Sequence, residues 1–140
     1  MSEFCLRFRS SLGCLKAAEK LCSAYIEQQA LAPEKRYWLI LSIHELAINA
    51  VCHGNHEDEG RWVTVEMDRR RGMLEARITD EGRQTEIPHP ADPTEDGNLF
   101  KNSGRGLFIV RHNVDALEFN LTPTGLQTVV RIALAEPVTA

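Results

Sequence analysis

The sequence lacks a basic excess, a long apolar run and a paired-cysteine motif, and each absence removes a class of protein. Its 140 residues include 16 lysines and arginines against 20 aspartates and glutamates, a formal net charge of −4. Nucleic-acid-binding domains normally carry a basic excess, so we expect no direct binding of nucleic acid. The arginines within Asp68–Gly72 leave a local basic patch open, but an Arg-Gly pair between apolar runs is more typical of a solvated hairpin tip.

The sequence also lacks targeting and cross-linking signals. No apolar run reaches the roughly 20 residues that span a membrane, and the first residues lack the apolar core of a signal peptide. No two cysteines form a CxxC pair, which disfavours a zinc ribbon or a thioredoxin-type motif; the four are Cys5, Cys14, Cys22 and Cys52. A chain of this length can bury a core without disulfides, so we expect reduced, mostly buried cysteines in a cytoplasmic protein with no membrane partner.

Periodic apolar residues predict most of the secondary structure. Phe4, Leu6 and Phe8 alternate with polar or small residues, as in a strand, and Pro33 stands where a helix can begin. Similar patterns predict helices over 11–29, 33–53 and 104–114, and strands over 62–68, 73–82, 116–122 and 127–134. The apolar positions of the first helix are Leu12, Leu15, Leu21, Tyr25 and Ile26. Because hairpins dominate this order, we expect an α+β fold in one domain, residues 1–140. It is a two-layer α/β sandwich whose mostly antiparallel sheet is covered on one face by three helices.

One segment shows little periodicity. From Glu81 to Asn102 the chain is rich in proline, glycine, aspartate, glutamate and asparagine. A loop of about twenty residues within a domain is uncommon and is often a functional lid. We therefore predict a lid over about residues 81–103, with a disordered insertion as the alternative.

A line of polar residues crosses the otherwise apolar second helix. Glu45, Asn49 and His53 recur every four residues, and four residues advance a helix by about 400°, so these side chains share one narrow stripe, with Ser42 beside it. Buried polar groups are unfavourable without partners, so either solvent at an exposed edge or a ligand must face the stripe. The segment "HELAI" is similar to the start of a zinc-binding HExxH helix, but Ile48 precludes the second histidine, and we do not expect zinc.

Two glycine-containing motifs follow. Gly104 and Gly106 stand where a loop enters a helix, and the N–H groups of a helix start bind phosphate when glycines allow close approach. Arg105 can add a charge-assisted bond, whereas neither a P-loop nor a Rossmann fingerprint fits. Asp80 ends a strand two residues before Gly82, where a carboxylate can accept a hydrogen bond from an amino group and the glycine leaves room for a flat base. Plain turns are the alternative for both motifs.

The order of these motifs resembles that of a known family. An E-x-x-x-N helix is followed by D-x-G after a strand, a long loop, G-x-G at a helix start and a threonine in a late strand. This order is similar to that of the GHKL, or Bergerat-fold, ATP-binding domains. The segments "HELAINAVCHGN" and "GRGLFIVRHNVDALEF" look most like the anti-sigma factor serine kinases of the RsbW and SpoIIAB type. The resemblance covers nearly the whole chain and implies a serine/threonine kinase that uses ATP and Mg²⁺.

The resemblance also implies a role for each matching residue. Glu45 would be the catalytic base on the acceptor hydroxyl, and Asn49 would hold the Mg²⁺ that bridges the ATP phosphates. Asp80 would recognise the adenine amino group, supported by a threonine in the late strand. The other implied ATP-binding residues are His53, Gly82, Ser103, Gly104, Arg105, Gly106, Leu107 and Thr128.

The implied partners are proteins. The substrate would be an anti-sigma factor antagonist with a STAS domain, in a partner-switching module; a sigma factor or another regulator would be a second partner, and a homodimer is compatible with the family. One departure is Gln84, which stands where the family often has the second glycine of D-x-G-x-G. It motivates an alternative, a non-catalytic partner-binding module with weak or no ATP binding. A third hypothesis, an ATPase domain cut from a larger kinase, is disfavoured by the ending "ALAEPVTA".

Overall fold

The computed structural model describes residues 2–83, 85, 87 and 102–135. Five strands and three α-helices follow one another along this part of the chain in the order β-α-α-β-β-α-β-β, as the sequence predicted. They are β1 (Phe4–Arg9), α1 (Leu12–Glu27), α2 (Pro33–Ile48), β2 (Trp62–Arg70), β3 (Met73–Thr79), α3 (Asn102–Asn113), β4 (Ala116–Leu121) and β5 (Leu126–Ala133). Among the described residues, no helix is both long enough and apolar enough to cross a membrane.

The strands form one sheet in the order β1-β2-β3-β5-β4, and every neighbouring pair is antiparallel. The β2–β3 hairpin turns through Arg71 and Gly72, which both have positive φ (51° and 75°), as a two-residue hairpin loop requires. The structure therefore supports the interpretation that the arginines of Asp68–Gly72 belong to a hairpin tip. The sheet and its helices confirm the predicted α+β sandwich.

Alternate strand residues face the helices and form the core. Val63, Val65 and Met67 of β2 are at most 1% exposed, and they pack with equivalent residues of the neighbouring strands. Helix α2 contributes the apolar face that its sequence predicted, and its buried core residues are Leu39, Ile43, Leu46, Ala47 and, just beyond its end, Ala50. This packing fixes α2 against the sheet, and the candidate site is built on its far end.

Helix α1 differs from its prediction in the face that it buries. Ser11 caps its start by accepting a hydrogen bond from the Cys14 N–H. Two leucines that the sequence assigned to the apolar face, Leu12 and Leu21, are more than half exposed. The buried face instead comprises Leu15, Ala18, Cys22 and Ile26. Small residues at positions 18 and 22 let the helix approach its neighbours closely, which turns the two leucines outward.

The cysteines also depart from the prediction. All four are free, but Cys5 and Cys14 are exposed, Cys52 is half-buried and only Cys22 is buried. Desolvation raises the pKa of the Cys22 thiol to about 12, so this thiol stays protonated. The expectation of mostly buried cysteines was wrong because β1 and α1 lie at the margin of the sandwich and present alternate residues to solvent.

A row of charged side chains crosses the uncovered face of the sheet; we call it the charged row, and its members are Asp68, Glu75, Arg77, Glu118 and Arg131. Arg77 contacts Asp68 at 2.7 Å and Glu75 at 2.6 Å. Arg131 contacts Glu75 at 2.9 Å and Glu118 at 2.7 Å. Asp68 and Glu75 are only 4% and 7% exposed, so these pairs are largely shielded from water.

Candidate functional site

Helix α2 presents Glu45 and Asn49 one turn apart near its end, and both side chains are half-buried. Ser42, which the sequence placed beside the same stripe, is instead 1% exposed and donates its hydroxyl to the Trp38 carbonyl at 2.6 Å. Two polar groups thus remain available to a ligand on this turn. The Glu45 and Asn49 side chains are neither fully buried nor fully exposed to solvent.

The helix does not end at Ile48 but widens into a π-helical segment, Asn49–Gly54. Its hydrogen bonding includes the Asn55 N–H donating to the Ala50 carbonyl at 2.8 Å, five residues back. Because a π-turn is wider than an α-turn, residues four apart no longer stand directly above one another. His53, which the sequence aligned with Asn49, is exposed. Single π-turns inside helices occur frequently at functional sites.

Glu45 faces the start of α3. A Cβ atom added to Gly106 would lie 2.5 Å from Glu45 Oε2, so the carboxylate rests directly against the glycine backbone. Gly106 is buried and lies one turn into α3, which begins at Asn102, inside the predicted lid boundary at residue 103. The structure therefore brings together the predicted base and the predicted phosphate-binding glycine, which are 61 positions apart.

The rest of the glycine motif falls partly outside what the structure describes. Ser103, Gly104 and Arg105 belong to the first turn of α3, and their side chains are not among the described ones. Leu107 is 7% exposed and packs in the core, so its side chain serves the fold. What Leu107 can offer a phosphate is its backbone. Gln84 and residues 88–101, most of the predicted lid, lie outside the described residues.

Asp80 is held by the backbone of the β4–β5 hairpin. It is 3% exposed, and its Oδ1 accepts hydrogen bonds from the N–H groups of Gly82 at 3.0 Å and Leu126 at 3.1 Å. The Asp80 N–H in turn donates to the Leu126 carbonyl at 3.0 Å. Two donors on one oxygen fix the plane of the carboxylate, which suits a group that must recognise a flat base.

Two glycines make room for this carboxylate. A Cβ atom on Gly54 would lie 2.1 Å from Asp80 Oδ2, and a Cβ atom on Gly125 would lie 2.4 Å from Oδ1. Both distances are far shorter than any contact that real carbon and oxygen atoms make. The end of the π-helical segment and the β4–β5 turn therefore enclose Asp80 from two sides, and any side chain at either glycine would displace it.

Thr128 lies on the same face of the sheet as Asp80. The register pairs Thr128 with Ile78, while Asp80 continues β3 two residues further, opposite Leu126. Diagonal cross-strand neighbours of this kind are about 7–8 Å apart. Thr128 is 7% exposed, so it lies in the interior near the predicted base-binding end.

The two ends of the candidate site are linked by one helix. Glu45 and Gly54 are nine residues apart, which at 1.5 Å per residue is roughly 13 Å along α2 and its continuation. The Glu45 end faces the start of α3, and the Gly54 end faces Asp80. An elongated ligand with a charged end and a flat polar end fits this arrangement.

Sequence reasoning missed three residues of the site: Gly54, Asn55 and Gly125. It assigned all three to loops, and loop residues are expected to be exposed. All three are buried, and Asn55 is 0% exposed. No periodic signal could have identified them, because their partners are backbone groups and a carboxylate from distant parts of the chain.

Comparison with known proteins shows the family of the chain. The family model described as "Histidine kinase-like ATPase domain" matches residues 8–133. The chain belongs to the histidine kinase-like ATPase family. Membership of an ATPase family implies an ATP-binding site, and the match includes Glu45, Asn49, Asp80, Gly106 and Thr128. No curated protein matches the chain.

Two solved structures are similar to this chain in fold. One is "the crystal structure of the RsbU and RsbW domains of Rv1364c from Mycobacterium tuberculosis", with a TM-score of 0.68 and 13% identity over 98% of this chain. Another is the histidine kinase domain of the Erythrobacter litoralis EL346 blue-light activated histidine kinase, with a TM-score of 0.56 and 23% identity over 87%. This chain covers 34% and 60% of those two chains, respectively.

Proposed function

We propose that this chain is a serine/threonine protein kinase of the anti-sigma factor type. It transfers the γ-phosphoryl group of Mg-ATP to a Ser or Thr hydroxyl of an antagonist protein with a STAS domain. Membership of the histidine kinase-like ATPase family and the likeness to a structure that contains an RsbW domain support this assignment. The order of motifs in the sequence, which resembles the anti-sigma factor kinases, favours serine or threonine as the acceptor.

The observation that carries the proposal is the contact between Glu45 and Gly106. Residues 102–105 form the first turn of α3, whose N–H groups can bind phosphate oxygens, and Glu45 lies against Gly106, directly after that turn. A carboxylate at that position can accept the proton of an incoming hydroxyl while the phosphoryl group is held beside it. Phosphoryl transfer depends mostly on such positioning and on charge neutralisation.

Asn49 is the residue that would hold Mg²⁺. Its amide oxygen is a hard donor one turn from Glu45, and Mg²⁺ commonly binds few protein ligands together with phosphates and waters. Among the described residues, no group of three or more His, Cys, Asp or Glu side chains could hold a metal without such help. When bound, the ion neutralises charge on the phosphate oxygens. His53 lies beyond Asn49 on the exposed side of the π-helical segment, where it would reach only the margin of the nucleotide.

At the other end of the site, Asp80 would accept a hydrogen bond from the adenine amino group, with Gly82 beside the base and Thr128 supporting the carboxylate. A second protein, a sigma factor or another regulator, would bind the kinase in its resting state. A homodimer and a cytoplasmic location belong to the same proposal. The homodimer follows from the family resemblance, and the cytoplasmic location follows from the expectation of reduced cysteines.

Two variants test the site assignment. Asn49→Ala is expected to weaken Mg-ATP binding at least tenfold, because the metal loses its protein ligand. Glu45→Gln is expected to keep Mg-ATP affinity within about twofold and to lower phosphoryl transfer by about 10²–10⁴-fold, the usual contribution of a general base. Isothermal titration calorimetry gives the affinity. A pull-down from native extract with ATP, followed by mapping of phosphorylated Ser and Thr, gives the acceptor. Unchanged Mg-ATP affinity in Asn49→Ala would show that the assignment is wrong.

The second candidate function is a non-catalytic binding module that holds a partner with weak or no ATP binding. Gln84 favours it, because this residue stands where the family often has the second glycine of D-x-G-x-G. Calorimetric titration of the unmodified chain separates the two functions. Micromolar affinity for Mg-ATP supports the kinase, and millimolar or no affinity supports the binding module.

A further inference from the structure

Asn55 has a buried side chain, and the proposed reaction gives this side chain no direct part. It directly follows the π-helical segment and is 0% exposed. Its Nδ2 donates to Ser10 Oγ at 2.6 Å and to the Trp62 carbonyl at 3.0 Å, and its Oδ1 accepts from the Glu81 N–H at 2.7 Å. One amide thus links the end of β1, the start of β2 and the segment after β3.

These three bonds define the orientation of the amide. The Glu81 N–H can only face the amide oxygen, and the Trp62 carbonyl can only face the amide nitrogen. Rotating the side chain by 180° would break both bonds and leave buried polar atoms unpaired, which is strongly unfavourable. Asn55 is therefore a rigid connector rather than a mobile loop residue.

Asn55 and the preceding Gly54 constrain Asp80 at two places. Glu81, whose N–H it holds, is the residue directly after Asp80. Gly54, the residue directly before Asn55, rests against Asp80 Oδ2. The peptide after Asp80 and the space beside its carboxylate are therefore both set by the same two-residue segment, Gly54–Asn55.

We propose that Gly54 and Asn55 are positioning residues that determine base specificity, by fixing the Asp80 carboxylate where it meets an amino group of the nucleotide base. This inference rests on the proposed function, because it requires that Asp80 contact the base. An amino group donates to a carboxylate, whereas a carbonyl at the same place on the base, as in hypoxanthine, leaves two acceptors facing each other. Such a site rejects the wrong base only if the carboxylate cannot turn away.

The test compares Mg-ATP with Mg-ITP, in which hypoxanthine replaces adenine, by calorimetry on the full chain. The unmodified chain is expected to prefer ATP by about tenfold or more, the effect of one unpaired buried polar group. Asn55→Ala and Gly54→Ala are each expected to lower this ratio by at least about threefold, with ITP affinity nearly unchanged, because the triphosphate contacts remain. Gly54→Ala leaves the Asn55 bonds in place, so it tests the same proposal without removing the connector.

Gln29→Ala is the matched control. Gln29 is also a buried amide, 9% exposed, and it donates to the Tyr25 carbonyl at 3.1 Å near the end of α1. The carbonyl of the neighbouring Ala30 accepts a hydrogen bond from the Ala135 N–H, just after the last residue of β5. Asp80 is bonded to Leu126, at the first residue of the same strand, so this control lies far from Asp80. Its ATP-to-ITP ratio is expected to match that of the unmodified chain.

The outcomes separate the inference from the function on which it rests. If the unmodified chain binds neither nucleotide, or does not distinguish them, the proposed base contact is wrong and the inference falls with it. If the unmodified chain prefers ATP and either folded variant keeps the full ratio, the inference is wrong and the proposed function stands. An equal fall in the ratio for Gln29→Ala also contradicts the inference, since it would make the effect one of general stability.

Discussion

At the level of single residues, two carboxylates of the candidate site owe their positions to glycines that face them. Glu45 rests against Gly106, and Asp80 rests between Gly54 and Gly125. In each case the missing Cβ atom creates the space that the carboxylate occupies. The two sites differ in what surrounds the carboxylate, because Asp80 is 3% exposed and anchored by backbone N–H groups, while Glu45 is half-buried.

Gly106→Ala is expected to lower the rate of phosphoryl transfer while leaving the free energy of unfolding nearly unchanged. The new methyl group would meet the flexible end of Glu45, so the side chain can move aside, and alanine favours a helix over glycine by up to about 1 kcal/mol. We expect the free energy of unfolding in urea to change by less than about 1 kcal/mol. The transfer rate at saturating Mg-ATP should fall by about tenfold to a hundredfold, because the displaced base no longer meets the hydroxyl.

Gly13→Ala is the control for this prediction. Gly13 lies in the first turn of α1, and a Cβ atom there would meet nothing within 4 Å. We expect a small gain in stability and an unchanged transfer rate. If Gly106→Ala transferred phosphate as fast as Gly13→Ala, the position of Glu45 against Gly106 would have no part in the reaction.

At single residues, the sequence allowed a prediction only where a motif carried the signal. Glu45 and Asn49 were identified by their spacing, and Asp80 by its place at a strand end. The structure places Glu45 against Gly106. The sequence could not identify Asn55, because its importance lies in hydrogen bonds to Ser10, Trp62 and Glu81, which only the folded chain brings together.

At the level of elements, the strands and helices were predictable because their apolar periods of 2.0 and 3.6 are distinct. The widening of α2 at Asn49 was not predictable from the sequence. A π-turn contains the same types of residue as an α-helical turn and differs only in which backbone groups are hydrogen-bonded. The outward leucines of α1 were missed for a similar reason. Two apolar arcs were available around that helix, and the packing partner, rather than the sequence of α1, decided which one is buried.

The strands of the sheet are joined on their open face by the charged row. Arg77 of β3 contacts Asp68 of β2, and Arg131 of β5 connects Glu75 to Glu118 of β4. Burial alone would raise the pKa of Asp68, but hydrogen bonding and charge from Arg77 and Arg70 outweigh it, so the pKa lies below its usual value. The same balance, with Arg77 and Arg131 as the donors, lowers the pKa of Glu75.

Arg77→Ala is expected to lower the free energy of unfolding by about 2 kcal/mol. Removing one partner of a buried pair typically costs about 3–5 kcal/mol, and the loss is smaller here because Arg70 and Arg131 remain beside the two carboxylates. Arg69→Ala is the comparison, since Arg69 of β2 pairs with Glu3, just before β1, and both side chains are exposed. Urea unfolding should show a much smaller change for Arg69→Ala. Equal losses would mean that the charged row contributes no more than a surface pair.

At the level of the whole molecule, the charged row links stability to pH. A carboxyl group whose pKa is lower in the folded chain binds fewer protons there than in the unfolded chain, so its contribution to stability is present above the unfolded pKa. That contribution is lost as the pH falls through the lower pKa of the folded state. Asp68 and Glu75 both belong to this class, as does Asp115, whose pKa is lowered by the Ala133 N–H and by Lys35.

The whole chain should therefore lose stability in acid, and Arg77→Ala should lose less. Unfolded Asp and Glu titrate near pH 3.9 and 4.3, so we expect the urea midpoint of the unmodified chain to fall as the pH drops from about 5 to about 3.5. In Arg77→Ala the folded pKa values of Asp68 and Glu75 rise toward the unfolded ones, which removes part of the pH dependence. The stability difference between the two proteins should then be greatest near neutral pH and shrink in acid, measured at four or five pH values. A difference that stays constant across this range would show that Arg77 stabilises the sheet by packing rather than by its charge.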